Sequence, residues 1–439
     1  MWQAGSAMER GPEMEPVDLL IRNAAEVVTC RGAPDGVRGP ALSRLEVIAD
    51  GAVAVRAGRI VAVGESARLL ARVQAKETID ATGRLVSPGL VDPHTHLVHA
   101  GSRHEEWEAR VLGRPPGLAG GIRWTVEQTG EAGDAALTRK AIADLDTMLA
   151  HGTTTVEAKS GYGLEPEREL RLLRLIRGLR HPVEVVVTYL AAHVLPTKYA
   201  ADRAAYVARA IETVPEAATL AEYCDVFCDP AGFTAGECRA ILEAALRSGM
   251  RLRLHADQTG RAGGIQLATE LGASSADHLE HAREEDVVEL ASSRTVGVLL
   301  PGVTHHMLEM VPGLSTGRLT NPPYPYMPLL ARQLVDAGAR LALATDYNPG
   351  TSPTLSMQAV MQLAARLYRL SYAEIWHMAT INAAASLDRG QDRGSLEPGK
   401  RADLMIWKVP HHGMVINRFG TNLVDTVIKD GVRTTGPGQ

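Results

Sequence analysis

Two histidines separated by one residue, His94 and His96, close the apolar run Leu90-Val91-Asp92-Pro93. In extended chain, residues two apart share a face, so both imidazoles can reach one metal ion. Other apolar runs also end in polar or ionisable side chains: Lys159, His193, Asp229, His255, His278 and Asp346. Together His94, His96, His255 and Asp346 offer imidazole nitrogens and a carboxylate oxygen. These are the mixed donors of a catalytic metal that keeps room for water. Such an ion lowers the pKa of bound water toward neutrality and polarises a carbonyl. His278 stands where it can meet a substrate oxygen or shuttle a proton. Each residue alone has an ordinary structural reading; their repetition at corresponding positions does not.

The elements that must position these side chains alternate along the middle of the chain. Eight short apolar runs begin near Leu90, Thr153, Val183, Cys224, Leu252, Ser275, Val296 and Leu341. Helical spacing of apolar residues separates them, as in Glu167 to Leu179 and Pro328 to Ala337. Eight strand–helix units predict an α/β fold, a (β/α)8 TIM barrel, with its site at the C-terminal strand ends. His151 and His181 precede their strands and read as structural. The flanks look different. Gly51 to Gly64 alternates apolar residues around an Ala57-Gly58 turn, as in a hairpin. Short strand patterns return at Ala402 to Trp407 and Asp425 to Gly431. A small β-sandwich domain built from both chain ends follows. The expected divisions are a loose tail over 1–16, sandwich over 17–86, barrel over 87–394 and sandwich again over 395–439.

Composition narrows the function classes. The 439 residues carry a net charge of −5 and only 4% aromatics, which argues against a nucleic-acid partner or base-stacking platforms. Four cysteines in so long a chain favour a reduced, cytoplasmic setting over a disulfide framework. No signal-like segment or long apolar span stands out, so no membrane partner is expected.

The stretch Pro88-Gly-Leu-Val-Asp-Pro-His-Thr-His-Leu-Val-His-Ala-Gly-Ser-Arg103 resembles the amidohydrolase superfamily and, within it, the imidazolonepropionase family. Glu157-Ala-Lys-Ser-Gly-Tyr-Gly-Leu164, Asp225-Val-Phe-Cys228 and Ala344-Thr-Asp-Tyr-Asn-Pro-Gly-Thr-Ser352 carry the narrower resemblance. It runs from about Leu19 to Gly431. It implies hydrolysis of 4-imidazolone-5-propanoate to N-formimidoyl-L-glutamate in histidine degradation, with one divalent or trivalent ion, zinc or iron, and a homodimer. It also implies that Arg103 binds the propanoate carboxylate, with Tyr162, His193, Gln258, Asn348, Gly350 and Thr351 as further substrate contacts. A guanidinium can hold a carboxylate through two parallel hydrogen bonds.

One position departs from the pattern. Many family members carry glutamate three residues after the fifth-strand histidine, where this chain has Gln258. An amide accepts no proton at neutral pH, so a base must be sought elsewhere, in Asp346 or His278. Lys159 ends the second run, not the fourth where bridging carboxylated lysines sit, which favours a mononuclear site. Two rival readings stand beside hydrolysis of the imidazolone: another mononuclear amidohydrolase such as a ring deaminase, and a barrel retained as a non-catalytic interaction module. Cys224 and Cys228 read as buried hydrophobes. The neighbours His305-His306 and His411-His412 are poor candidates for one metal, because adjacent residues in extended chain point apart.

Overall fold

The computed structural model describes residues 14–114, 120–308 and 327–434. Most of the expected N-terminal tail therefore lies outside the described residues. Among the described residues the strands are β1 (Glu15–Val28), β2 (Val47–Arg56), β3 (Arg59–Glu65), β4 (Val73–Asp80), β5 (Leu85–Pro88), β6 (Leu90–Asp92), β7 (Thr153–Lys159) and β8 (Glu184–Ala192), then β9 (Tyr223–Cys228), β10 (Arg251–Ala256), β11 (Ser275–His278), β12 (Val296–Leu299), β13 (Leu341–Leu343), β14 (Leu404–Trp407), β15 (Val424–Lys429) and β16 (Val432–Arg433).

Strands β6 to β13 pair in chain order, all parallel. Helices such as Asp134–Ala150, Pro166–Gly178 and Ala235–Arg247 return the chain between them. Every residue of β7 is buried, as a parallel strand covered on both faces requires. A parallel bridge between Thr95 and Tyr347, just beyond β6 and β13, joins the first strand to the last. The eight-stranded barrel expected from the sequence is the observed fold.

The second, mixed sheet takes strands from both chain ends, in the order β16-β15-β14-β5-β1-β2-β3, with β4 beside β1. Its core brings Leu19, Ile21, Val53 and Val55 against Leu404, Ile406 and Ile428. Strands β2 and β3 form the predicted hairpin, turning at Ala57 and Gly58 with φ of 50° and 73°. Strand β1 starts at Glu15, two residues early, because Glu15 and Pro16 pair with Val73 and Gln74. The two parts meet through buried aromatics: Trp407 on β14 packs edge-on to Trp376 of the barrel, ring centres 5.8 Å apart. Among the described residues no helix is long and apolar enough to cross a membrane.

Candidate active site

Barrel closure assembles the site. Beyond β6 and β13 the two backbones continue to pair: Asp346 donates its N–H to the His94 carbonyl at 3.0 Å, and His96 donates to the Tyr347 carbonyl at 2.9 Å. Asp92 reinforces the seam by accepting from the Thr345 N–H at 3.0 Å and its hydroxyl at 2.6 Å. Burial pushes the Asp92 carboxyl up to about 7 in spite of these bonds. Chain segments about 250 residues apart thus deliver His94, His96 and Asp346 to one point.

The donor atoms converge. Oδ1 of Asp346 lies 3.3 Å from Nε2 of His94 and 3.4 Å from Nε2 of His96. Nε2 of His255 lies 3.3 Å from Nε2 of His96. All four residues are buried. Yet His94 Nε2 and Asp346 Oδ1 have no hydrogen-bond partner of acceptable geometry. Their residues form, with His96, a trio whose donor atoms lie within 4.8 Å of one another. A buried polar atom left unpartnered is costly and calls for a missing partner. Three imidazoles and a carboxylate so gathered fit a single zinc or iron ion. Burial, partly countered by Asp225, holds His255 well below the usual histidine range. Asp346 is held well below the carboxylate range, the pull of His94 and His96 overcoming burial.

Behind these donors lies a buried ionic layer. Asp277 Oδ2 sits 2.6 Å from His94 Nδ1, and Asp225 Oδ1 sits 3.1 Å from His255 Nδ1. Each carboxylate fixes its ring's tautomer, leaving Nε2 free for a metal. Lys159 Nζ in turn lies 2.8 Å from Asp225, 2.9 Å from Glu157 and 3.8 Å from Asp277. Arg253 reaches Asp277 at 3.3 Å and the Pro93 carbonyl at 2.8 Å. Against burial, Asp225 and Glu157 raise Lys159 above its ordinary value, so it stays charged. Lys159 is thus a counter-ion to the acids behind these donors.

A partly buried ionic cluster braces the two donor loops. His99 Nδ1 lies 2.8 Å from the His96 carbonyl, and Lys140 Nζ lies 3.1 Å from His99 Nε2. Lys140 also donates to the Tyr347 hydroxyl at 3.0 Å and to Asp144 at 2.7 Å. Burial, aided by Lys140, lowers His99 to about 3 and keeps it neutral.

His278, His193 and Tyr162 lie beside these donors. His278 is buried, its ring centre 5.3 Å from that of His255 and 5.6 Å from that of His94. His193 stacks on His96 at 5.0 Å and donates through Nδ1 to the Gly161 carbonyl at 2.9 Å. Burial, then His96, lowers His193 to about 3. One of its ring nitrogens lies within 4.8 Å of ring nitrogens of His96 and His255, a second trio of possible donors. Tyr162 packs beside His96 and His193, and burial raises its phenol above the ordinary value. Glu169 shapes that loop by accepting the N–H groups of Gly161, Gly163 and Leu164 at 2.8, 2.7 and 2.6 Å. A Cβ on Gly163 would come within 2.5 Å of the Glu169 nitrogen.

Arg103 differs from the simple expectation. Its Nε and Nη2 already hold Glu106 in a two-pronged pair at 2.7 and 2.6 Å. Its Nη1 lies against Gly350, where a Cβ would come within 1.9 Å. Asn348 is likewise committed. Its amide donates to the Asp346 carbonyl at 2.7 Å and to Thr351 Oγ1 at 2.8 Å, and accepts from Gly350 and Thr351 N–H groups at 2.9 and 2.8 Å. Thr351 Oγ1 lies 3.5 Å from Asp346 Oδ2. Gln258, two residues past the end of β10, is half-buried. Asp257 faces away, its carboxylate accepting the N–H groups of Ala262, Gly263 and Ile265. Asp229 pins the Thr259 loop and does not join the donors.

Sequence reasoning missed the layer formed by Glu157, Asp225, Arg253 and Asp277, together with Lys140, His99, Glu106 and Glu169. An acid inside an otherwise apolar parallel strand, as at Asp225, was the available signal. His151 and His181 lie away from the site, bonded to the Thr147 carbonyl and to Asp146. The four cysteines are free and buried. His411 and His412 both face Glu26, contrary to the extended-chain argument, because His411 caps a helix that His412 begins.

Comparison with known proteins agrees with this geometry. Residues 85–434 match the amidohydrolase family. The chain is 42% identical over 421 residues to the imidazolonepropionase of Thermoanaerobacter pseudethanolicus, covering 94% of this chain and 96% of that one. It is 41% identical over 435 residues to the imidazolonepropionase of Geobacillus kaustophilus, covering 96% and 99%. In fold it is similar to a zinc-bound adenosine deaminase from Xanthomonas campestris, with a TM-score of 0.66 at 22% identity over 96% of this chain and 93% of that one. It is also similar to ochratoxinase of A. niger, with a TM-score of 0.66 at 19% identity over 97% of each chain. The chain belongs to the amidohydrolase family and, within it, to the imidazolonepropionases.

Proposed function

We propose that this chain hydrolyses the ring amide of 4-imidazolone-5-propanoate to N-formimidoyl-L-glutamate in histidine degradation. The observation that carries the reading is the convergence of His94, His96, His255 and Asp346 on a point where His94 Nε2 and Asp346 Oδ1 lack partners. The full-length likeness to imidazolonepropionases supports it. An ion held by these four residues, zinc or iron, would polarise the ring carbonyl and ease deprotonation of water.

The remaining steps fall to the chain's own groups. Arg103 faces the propanoate with the N–H groups that Glu106 leaves free, and the Tyr162 phenol offers a further donor to the same tail. His193, donating through Nδ1 and held neutral, offers Nε2 as an acceptor to a ring N–H. Gln258 hydrogen-bonds the ring or the attacking water but takes no proton. His278 accepts a proton from water as its oxygen bonds to the carbonyl carbon, and returns it to the ring nitrogen as the carbon–nitrogen bond breaks. Asp346 is the second proton-accepting candidate. The family resemblance alone carries a homodimer and a cytoplasmic setting.

The test is loss of imidazolone absorbance on adding freshly made 4-imidazolone-5-propanoate, with the product identified by mass spectrometry. N-formimidoyl-glutamate is expected. Ammonia release from purine or pyrimidine rings without imidazolone turnover would favour a deaminase. A metal-replete protein that turns over neither would favour the interaction module.

A further inference from the structure

We infer that Glu280 is a positioning residue for His278, fixing its tautomer and direction so that Nε2 faces the reacting atoms as the proton acceptor. The inference rests on the hydrolytic reading above and names a residue for the gap that Gln258 leaves. Glu280 Oε1 lies 3.4 Å from Nδ1 of His278. Two consecutive non-glycine residues with positive φ, His278 at 81° and Leu279 at 72°, turn the chain back so that Glu280 can meet the ring. Such conformations are strained and persist where the surroundings impose them, often at functional sites. The Glu280 side chain is only 11% exposed, and its second oxygen, Oε2, is buried without a partner. A nearly buried carboxylate with one oxygen unmatched is a poor structural element, but it suits a group that must steady a cation forming beside it.

Chemistry fixes the direction. A carboxylate only accepts, so the His278 nitrogen facing Glu280 is Nδ1–H, and Nε2 carries the lone pair. A ring nitrogen of His278 lies within 4.8 Å of ring nitrogens of His94 and His255. His278 in this tautomer cannot donate to an oxyanion before it has taken a proton, so its first role is acceptance. Water gives one proton to Nε2 while its oxygen bonds to the ring carbonyl carbon. The imidazolium, paired with Glu280, then passes the proton to the leaving ring nitrogen.

Two measurements test this. In metal-loaded protein, Glu280→Gln keeps the side-chain shape and removes the charge. The expected outcome is a fall in kcat of about 10- to 100-fold with KM within about twofold and unchanged metal content. Unchanged kcat overturns the proposal, as does loss of metal or a rise in KM alone. Independently of turnover, long-range proton–nitrogen NMR of 15N-histidine-labelled, metal-stripped protein reads the His278 tautomer, with the signals assigned by their loss in His278→Asn. Protonation at Nδ1 in the unmodified chain, shifting toward Nε2 in Glu280→Ala, is expected; Nε2–H in the unmodified chain overturns it. If the unmodified chain fails to hydrolyse the imidazolone, the functional reading falls, while the tautomer still decides whether Glu280 directs His278.

Discussion

Asp277 Oδ2 lies 2.6 Å from Nδ1 of His94, and the same oxygen is 3.3 Å from Arg253 and 3.8 Å from Lys159. A histidine of the proposed metal site is thus held by a carboxylate that two buried cations restrain. The arrangement sets the ring's direction and also its charge. Burial and Lys159 work against the protonated form, yet Asp277 and Asp346 hold His94 up at about 9.

A metal entering the site must displace that proton. Metal affinity of the stripped protein should therefore rise as pH rises toward 9, by up to about tenfold per unit from this group, and level off above it. Chelator competition across pH 6 to 10 measures the slope. Asp277→Asn should weaken metal binding by about 10- to 100-fold at neutral pH and flatten the dependence, because the ring loses its orienting anion. Equal affinity in the variant would contradict the role given to Asp277.

Lys159 is fully buried among Glu157, Asp225 and Asp277. Replacing it by methionine removes a cation and leaves these acids short of compensation. Lys159→Met should destabilise the protein by about 3–5 kcal/mol, since breaking a buried pair strands its partner charge. Denaturant unfolding gives the value, and a loss below about 1 kcal/mol would show that the charge is not needed.

Gly350 is set against Arg103, where a Cβ would fall within 1.9 Å of Nη1. Gly350→Ala should displace the guanidinium and raise KM for the propanoate substrate, lowering kcat/KM by about 10- to 100-fold, the worth of a charge-assisted hydrogen bond. An imidazolone lacking the carboxylate should lose far less. Equal losses for both would mean that Arg103 does not read the tail.

Gln258 cannot serve as the base, and His278 is assigned that work. Gln258→Glu should therefore change kcat by no more than about threefold, well short of the 10²–10⁴ that a new general base supplies. Steady-state kinetics at neutral pH decides it. A gain of a hundredfold would show that proton transfer is what the present chain lacks.

The barrel was legible because parallel strands buried on both faces read as apolar runs ending in polar residues, and eight of them close a sheet. His94 and His96 were legible for a local reason, their spacing of two. Asp277 was not, because its partner His94 lies 183 residues away and nothing near Asp277 in sequence marks it as a support. Arg103 was identified by its neighbours, but Glu106, three residues on, takes the bidentate geometry expected for a substrate. His411 and His412 were judged by extended-chain geometry, which fails where a helix begins between them.

One ion, held by His94, His96, His255 and Asp346, is proposed to enable hydrolysis of 4-imidazolone-5-propanoate. Titrating zinc or ferrous iron into metal-stripped protein while following turnover tests it most directly. No turnover without metal is expected, with full recovery at one ion per chain and no recovery at that ratio in His96→Ala or Asp346→Asn. Turnover by the stripped protein, or recovery that needs two ions per chain, would contradict it.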